Sequence, residues 1–177
     1  MGANIARRVM AAGHRVVVHD IDADAVAALV AEGAVGAASA AELAAALPVP
    51  RAVWVMVPAG AITDATIAAV AEVLEPGDTL IDGGNTRYTD DLRHAETLGA
   101  AGIHHIDCGT SGGVWGLERG YCLMIGGDAG PVARLEPLFA AIAPGPGSAA
   151  RTRGRTGSPG PAEQGWLLLR LQPGTGS

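Results

Sequence analysis

The chain has 177 residues, a net charge of −6 and a pI near 5.2; all 12 basic residues are arginine, and aromatics make up only 3%. That balance excludes a basic nucleic-acid footprint, and no apolar run approaches the ~20 residues of a membrane-spanning helix. The first residues lack a charged segment followed by an apolar one, so no secretory signal is expected, and two cysteines without tight spacing point to a reducing, cytoplasmic setting.

The predicted elements begin almost at once. Ile5, Val9 and Met10 share a helical face that ends at Gly13. Arg15–His19 carries a Val-Val-Val run, the pattern of a buried strand, and stops at Asp20. A helix follows from about Asp22 to Ala31, closed by Gly33, with Val26, Leu29 and Val30 inward. Ser39 has Glu42 three residues later, the spacing of a capping box, and heads a short helix over Ala40–Leu47. Val53–Val57 reads as a strand bounded by Pro58, and Ile62–Leu74 as a helix ended by Pro76-Gly77. Thr79–Asp82 reads as a strand and Thr89–Ala100 as a helix ended by Gly102. Ile103–Asp107 and Tyr121–Ile125 read as strands, and Pro131–Ala143 as one helix. Residues 144–163 repeat Gly and Pro around Arg151, Arg153 and Arg155 without apolar period, the texture of linker or disorder. The last segment, Gly165–Ser177, holds a short WLLLRL run and is expected to be unanchored.

Strands that alternate with helices and read as continuous apolar runs are parallel strands covered on both faces. The expected fold is α/β, Rossmann-like and doubly wound, with a mostly parallel sheet. A G-x-G-x-x-G turn and the strand before it are missing: only Met1-Gly2 stands where the last glycine of such a turn would be. The expected sheet therefore lacks its first strand, and residues 1–146 form the nucleotide-binding unit, with 147–177 as linker and aberrant tail.

Ligands of such sheets bind beyond the carboxyl ends of the strands. The permissive and polar residues fall there: His19-Asp20, Val57-Pro58-Ala59-Gly60, Asp82-Gly83-Gly84-Asn85 and Gly109–Gly113. In the stretch Asp107–Asp128, Thr110-Ser111-Gly112-Gly113 is expected to form a ligand loop after the strand, because glycine lets a ligand approach the backbone. Asp20, at the end of the second nucleotide-fold strand, has the place of an acid that binds an adenosine ribose and repels a 2′-phosphate. No arginine follows it, so NAD is preferred over NADP; the alternative for Asp20 is a role in capping the next helix.

No metal ligand set is expected. His104 and His105 are adjacent in a strand, point to opposite faces and cannot chelate together. His14 and His94 read as helix-end and helix-surface residues, and for His19, beside Asp20, contact with a cofactor's adenine side is the lesser of two alternatives. Glu118 and Arg119 read as an exposed ion pair, Trp115 as a packing anchor, and Cys108 and Cys122 as small buried hydrophobes.

The segments MGANIARRVMAAGHRVVVHD, VMVPAG, IDGGNT and DCGTSGGVWGLERGYCLMIGGD together resemble the decarboxylating 6-phosphogluconate dehydrogenases, in particular their shorter, NAD-preferring branch. The likeness runs from Met1 to about Pro146, and PAEQGW at 161–166 also fits. It implies that Gly2 is the last glycine of the pyrophosphate fingerprint and that Asp20 binds the adenosine ribose. It implies that Val57, Pro58 and Ala59 line the cofactor and that Asn85 lies between nicotinamide and sugar acid. Ser111, Gly112 and Gly113 would hold the carboxylate end of 6-phosphogluconate.

The implied reaction is oxidative decarboxylation of 6-phosphogluconate to ribulose 5-phosphate and CO2 in the pentose phosphate pathway, with NAD as cofactor and NADP as the alternative. The family uses a lysine base and a glutamate acid on a helix after the nucleotide domain, and oligomerises through the helical domain that follows. This chain contains no lysine, and after Trp166 its LLLRLQPGTGS resembles nothing in the family. It therefore carries neither of the family's catalytic residues, and the expectation is a truncated gene product with a late start and a shifted frame near residue 166, inactive alone. Two rival readings are a β-hydroxyacid dehydrogenase of the hydroxyisobutyrate type and a non-catalytic nucleotide-binding remnant.

Overall fold

Helix α1 (Gly2–Ala11) opens the computed structural model, which describes residues 1–151 and 153–169. Its inward Ile5 and Val9 are buried, as their spacing requires. After it come β1 (Val17–Val18), α2 (Ala23–Ala31), β2 (Val35–Gly36), α3 (Ala40–Ala45), β3 (Ala52–Val55) and α4 (Ala61–Ala71). β4 (Thr79–Asp82), α5 (Tyr88–Ala100), β5 (His104–Ser111), a 3-10 turn (Gly113–Trp115) and α6 (Gly116–Arg119) follow. The described chain closes with β6 (Cys122–Gly127), α7 (Ala129–Arg134), α8 (Glu136–Ile142), α9 (Pro161–Gln164) and β7 (Trp166–Leu168).

The architecture is the expected α/β one, divided between two sheets. β1 and β2 pair parallel, and the other five strands run in the order β3-β4-β5-β6-β7. β3, β4 and β5 are parallel; β6 runs antiparallel to β5, and β7 parallel to β6. The reversal at β6 follows from its connection, Gly112–Tyr121, which is shorter than the dozen or so residues a parallel crossover needs. No ladder joins β1 to β3 among the described residues, so each has one unpaired edge.

Alternation along the strands builds a core on each face. Leu80 of β4, with Val53, Val55, Ile67, Val70 and Leu98, packs beneath α4 and α5. Ile81, next in the same strand, packs on the other side with Ile5, Ile106, Ile125, Phe139 and Trp166, beneath α1 and α8. The Ser39 cap forms: the Glu42 N–H donates to Ser39 Oγ at 3.2 Å, while the Glu42 carboxylate accepts from Ala38 N at 2.8 Å.

Four expectations about the elements are corrected. Pro131–Ala143 is two helices, broken at Leu135, because Pro137 has no N–H to continue the ladder. β5 extends to Ser111 because β6 pairs with it from Cys108 to Ser111, so Thr110 and Ser111 belong to the strand and only Gly112 begins the loop. The start of the final segment is anchored: Trp166 is buried, stacks near Phe139 at 6.1 Å, and Trp166–Leu168 pair with Leu123–Ile125. An alternating inward set (Trp166, Leu168) sufficed for a strand once β6 offered an edge. The last segment's residues 170–177 lie outside the described residues. Cys122 is exposed rather than buried, since it alternates with the inward Leu123.

Candidate functional site

The four loops singled out in the sequence lie at strand carboxyl ends. β3 runs out into Val57-Pro58-Ala59-Gly60, where the Thr63 hydroxyl donates to Pro58 O at 2.9 Å and holds the turn to α4. β4 runs out into Gly83-Gly84-Asn85. Asp82, 1% exposed, accepts from Gly84 N at 2.9 Å and from the Thr86 hydroxyl at 2.6 Å, which pins this loop. The two loops touch: Gly83 N donates to Val55 O at 2.9 Å, and a Cβ on Gly84 would sit 3.4 Å from Val57 O. Gly83 is glycine for a packing reason, since a Cβ there would lie 2.0 Å from Trp54 Nε1. Asn85 is exposed beyond them.

Ser111, Gly112 and Gly113 stand farther out. Asp107 is the last β5 residue paired to β4, so Ser111 projects four positions (111 − 107) beyond it, roughly 13 Å of strand. The structure thus sets Asn85 and Ser111–Gly113 at one end of the sheet without a hydrogen bond between them among the described residues. The glycines after Ser111 are dictated by Tyr121, which is fully buried: a Cβ on Gly112 or Gly116 would come within 2.7 or 2.0 Å of its ring. Gly113 has φ +50°, open space around its Cβ position, and an N–H with no partner among the described backbone hydrogen bonds. Trp115 is exposed, and the Arg119 guanidinium lies over its ring at 5.3 Å; the expected Glu118–Arg119 ion pair does not form. Arginine's flat cation finds the indole face instead.

Arg8 had no predicted role, yet it ties these parts together. It donates to Ile142 O at 2.9 Å and Ala143 O at 2.8 Å, at the end of α8, and to Leu117 O at 3.0 Å in α6. The last turn of α1, the end of α8 and α6 are thereby held in one frame.

At the other side, β1 ends at His19-Asp20. Asp22, not Asp20, caps α2, accepting from Asp24 N at 3.0 Å and Ala25 N at 3.3 Å. Asp20, exposed, uses one oxygen in a turn to Asp22 N at 3.0 Å, and its other oxygen has no hydrogen bond among the described residues. His19 Nδ1 lies 3.0 Å from Ala37 O; a carbonyl only accepts, so Nδ1 carries the proton. The His19 ring forms one wall of an open groove of about 450 Å³, whose other wall is α4 at Ala61, Ile62, Ala65, Thr66 and Ala69. Gly2 begins α1, with Met56 3.6 Å from its Cβ position. Met1 caps that helix without a side-chain hydrogen bond, so the first N–H groups point out unpaired.

Titratable groups near the β4 and β5 ends are perturbed. Burial pushes the Cys108 thiol up to about 12, which makes it an inert core residue. Burial, then the carboxylates of Asp107, Asp82 and Asp90, raises Asp91 to about 7. Burial lowers His105 to about 4. His94 is 4% exposed, which corrects its reading as a surface residue: α5 lays that face on β5. Among the described residues no helix is long and apolar enough to cross a membrane.

Comparison with known proteins bears on this arrangement. Residues 1–152 match the family described as the NAD binding domain of 6-phosphogluconate dehydrogenase. The NAD(+)-dependent, decarboxylating 6-phosphogluconate dehydrogenase of Haloferax volcanii is 43% identical over 146 residues, which cover 82% of this chain and 48% of the relative. The chain thus spans about half the length of that relative, and 22% of the Treponema pallidum 6-phosphogluconate dehydrogenase, to which it is 48% identical over 108 residues. A Mycobacterium tuberculosis 3-hydroxyisobutyrate dehydrogenase structure superposes with a TM-score of 0.75 at 27% identity, covering 81% of this chain and 49% of that one. The chain is a member of the family of NAD binding domains of 6-phosphogluconate dehydrogenase.

Proposed function

We propose that this chain is the nucleotide-binding part of an NAD-preferring, decarboxylating 6-phosphogluconate dehydrogenase and that alone it binds ligands without turning them over. The observation that carries the reading is the groove between His19 and α4, next in sequence to Asp20 at the end of β1. The residues present fit a dinucleotide. The groove has mostly apolar walls for an adenine, and Asp20 has a carboxylate oxygen unpartnered among the described residues for a ribose hydroxyl. The N–H groups of α1, beginning at Gly2, suit a pyrophosphate at the positive end of a helix dipole. Val57, Pro58 and Ala59, which precede Ala61 of that groove, line the cofactor.

NAD, when bound, supplies the hydride acceptor. The chain's own residues position the sugar acid: the Ser111 hydroxyl and the N–H groups of Gly112 and Gly113 donate to its carboxylate, and Asn85 orients the carbon that is oxidised. Proton removal from the 3-hydroxyl needs a base, and the chain has no lysine to act as one. Cys108, held near 12 in the core, cannot replace it.

Asp20→Ala is expected to weaken NAD binding about ten- to a hundredfold, the value of a hydrogen bond to a charged group, and to narrow the preference over NADP. Isothermal titration of both nucleotides checks this; equal affinities in the variant and the unaltered chain would sink the ribose assignment. Purified chain mixed with NAD and 6-phosphogluconate is expected to form no NADH by absorbance. Turnover at ordinary enzyme rates would overturn the proposed division of labour.

The likeness to 3-hydroxyisobutyrate dehydrogenase keeps a second reading alive, a β-hydroxyacid dehydrogenase for a smaller acid. Thermal shifts with 6-phosphogluconate and with 3-hydroxyisobutyrate, each beside NAD, separate the two. A ligand at a hundred times its dissociation constant adds about 2.7 kcal/mol. Stabilisation by NAD alone, with neither acid adding to it, would favour a nucleotide-binding remnant.

A further inference from the structure

We infer that Asp91, His94 and His105 form a binding site for one divalent transition-metal ion, of the zinc or cobalt class, that clamps α5 to β5. Asp91 and His94 are three residues apart on α5 and share a face. β5 brings His105 against that face, and one ligand atom from each of the three residues lies within 4.8 Å of the others. The His94 and His105 rings meet edge-on, with centroids 6.3 Å apart. Asp91 is 8% exposed and His94 4%.

What distinguishes this cluster from a packed polar core is its missing partners. Asp91 Oδ1, His94 Nδ1 and His105 Nε2 are buried without a hydrogen bond among the described residues. Buried polar atoms are nearly always satisfied, so three in one place call for a common partner. His94 is already oriented for one. Its Nε2 lies 2.8 Å from Asp64 Oδ1, and a carboxylate only accepts, so Nε2 carries a proton and Nδ1 is the nitrogen left for a metal ion. A carboxylate behind an imidazole is the usual outer shell of a metal-bound histidine.

The donor set chooses the ion. Two imidazoles and one carboxylate suit zinc, with a water as fourth ligand. Bonds of about 2.0–2.1 Å place tetrahedral ligand atoms about 3.4 Å apart, so the widest gap closes by small side-chain rotations. None of its three residues lines the nucleotide groove or belongs to Ser111–Gly113.

The test uses the complete 177-residue chain without an affinity tag, titrated with zinc against a chromogenic chelator and, separately, with cobalt read by its visible d–d bands. One equivalent of metal is expected, with the absorption of a tetrahedral nitrogen-oxygen site and a higher melting temperature. His105→Gln and Asp91→Asn are each expected to weaken zinc at least tenfold, and Asp64→Asn about ten- to a hundredfold through the outer shell. His104→Gln, on the opposite face of the strand, is expected to leave affinity unchanged. No binding by the unaltered chain overturns the inference, as does binding that all three ligand-shell variants retain. Should a variant fail to fold by circular dichroism, the cobalt spectrum of the unaltered chain decides: absent tetrahedral bands refute the site.

Discussion

Replacing Asp78 with alanine is expected to cost about 3–5 kcal/mol of folding stability, because it strips the partner from buried donors. The carboxylate is 2% exposed and accepts three hydrogen bonds: from Arg51 N at 2.5 Å, from the Arg51 guanidinium at 2.9 Å and from Glu75 N at 3.0 Å. It thereby joins the entry of β3 to the entry of β4, where Thr79 N also donates to Arg51 O. In a domain of this size each kcal/mol moves the melting temperature by about 2–4 °C, so a drop of about 10 °C should be seen by calorimetry.

The pH dependence has a definite sign. Burial raises the Asp78 carboxyl, but the Glu75 N–H, the Arg51 guanidinium and the Arg51 N–H outweigh it and hold the group below its ordinary value. Near pH 4 the unfolded chain then binds more protons than the folded one at this position. The stabilisation is complete above the unfolded value and is lost as pH falls through the lower folded value. The gap between the unaltered chain and Asp78→Ala should therefore narrow below about pH 4. A gap that widened on acidification would contradict this account.

Gly120→Ala is expected to destabilise by about 3 kcal/mol or more, while Gly99→Ala is expected to be neutral or to stabilise by up to about 1 kcal/mol. Gly120 has φ 82° and ψ 170°, a region that only glycine enters readily. A Cβ there would lie 2.4 Å from Pro144 N and 2.7 Å from Ala143 C, backbone atoms that cannot rotate away. Gly99 sits within α5, with nothing within 4 Å of its Cβ position. Urea melts of the two variants give the comparison, and equal or reversed midpoints would refute it. Because Gly120 joins α6 to Tyr121, its loss should also weaken whatever Ser111–Gly113 hold.

Much of this was legible in residue order. The spacing of Ile5 and Val9, the apolar strand runs and the Ser39 cap depend on neighbours a few positions away, and those elements formed where expected. Segment ends were less legible. Pro137 was enough to split a helix, and the length of β5 depended on β6 lying beside it. The final Trp166–Leu168 strand could not be anticipated from its own residues, because its reason is the free edge of β6.

The candidate site divides in the same way. Glycine-rich stretches after strands located the loops, since backbone permissiveness is a property of the residue itself. Pairings over long separations carried no such mark. Arg8 reaches carbonyls in α6 and α8, Asp78 reaches back to Arg51, and His94 meets His105 across α5 and β5. The reading of His104-His105 considered those two residues alone, and His94, which belongs to another element, lay outside it.

By itself, then, the amino-acid order determined the α/β class, the positions of most elements, the loops at the strand ends and the family likeness, because all of these are written in local pattern and motif. Only the tertiary structure decided where the sheet divides, which glycines are locked by Tyr121 and Pro144, and which buried groups are left to seek a partner. Those outcomes depend on atoms brought together from distant positions, and no single stretch of sequence contains both sides of such a contact.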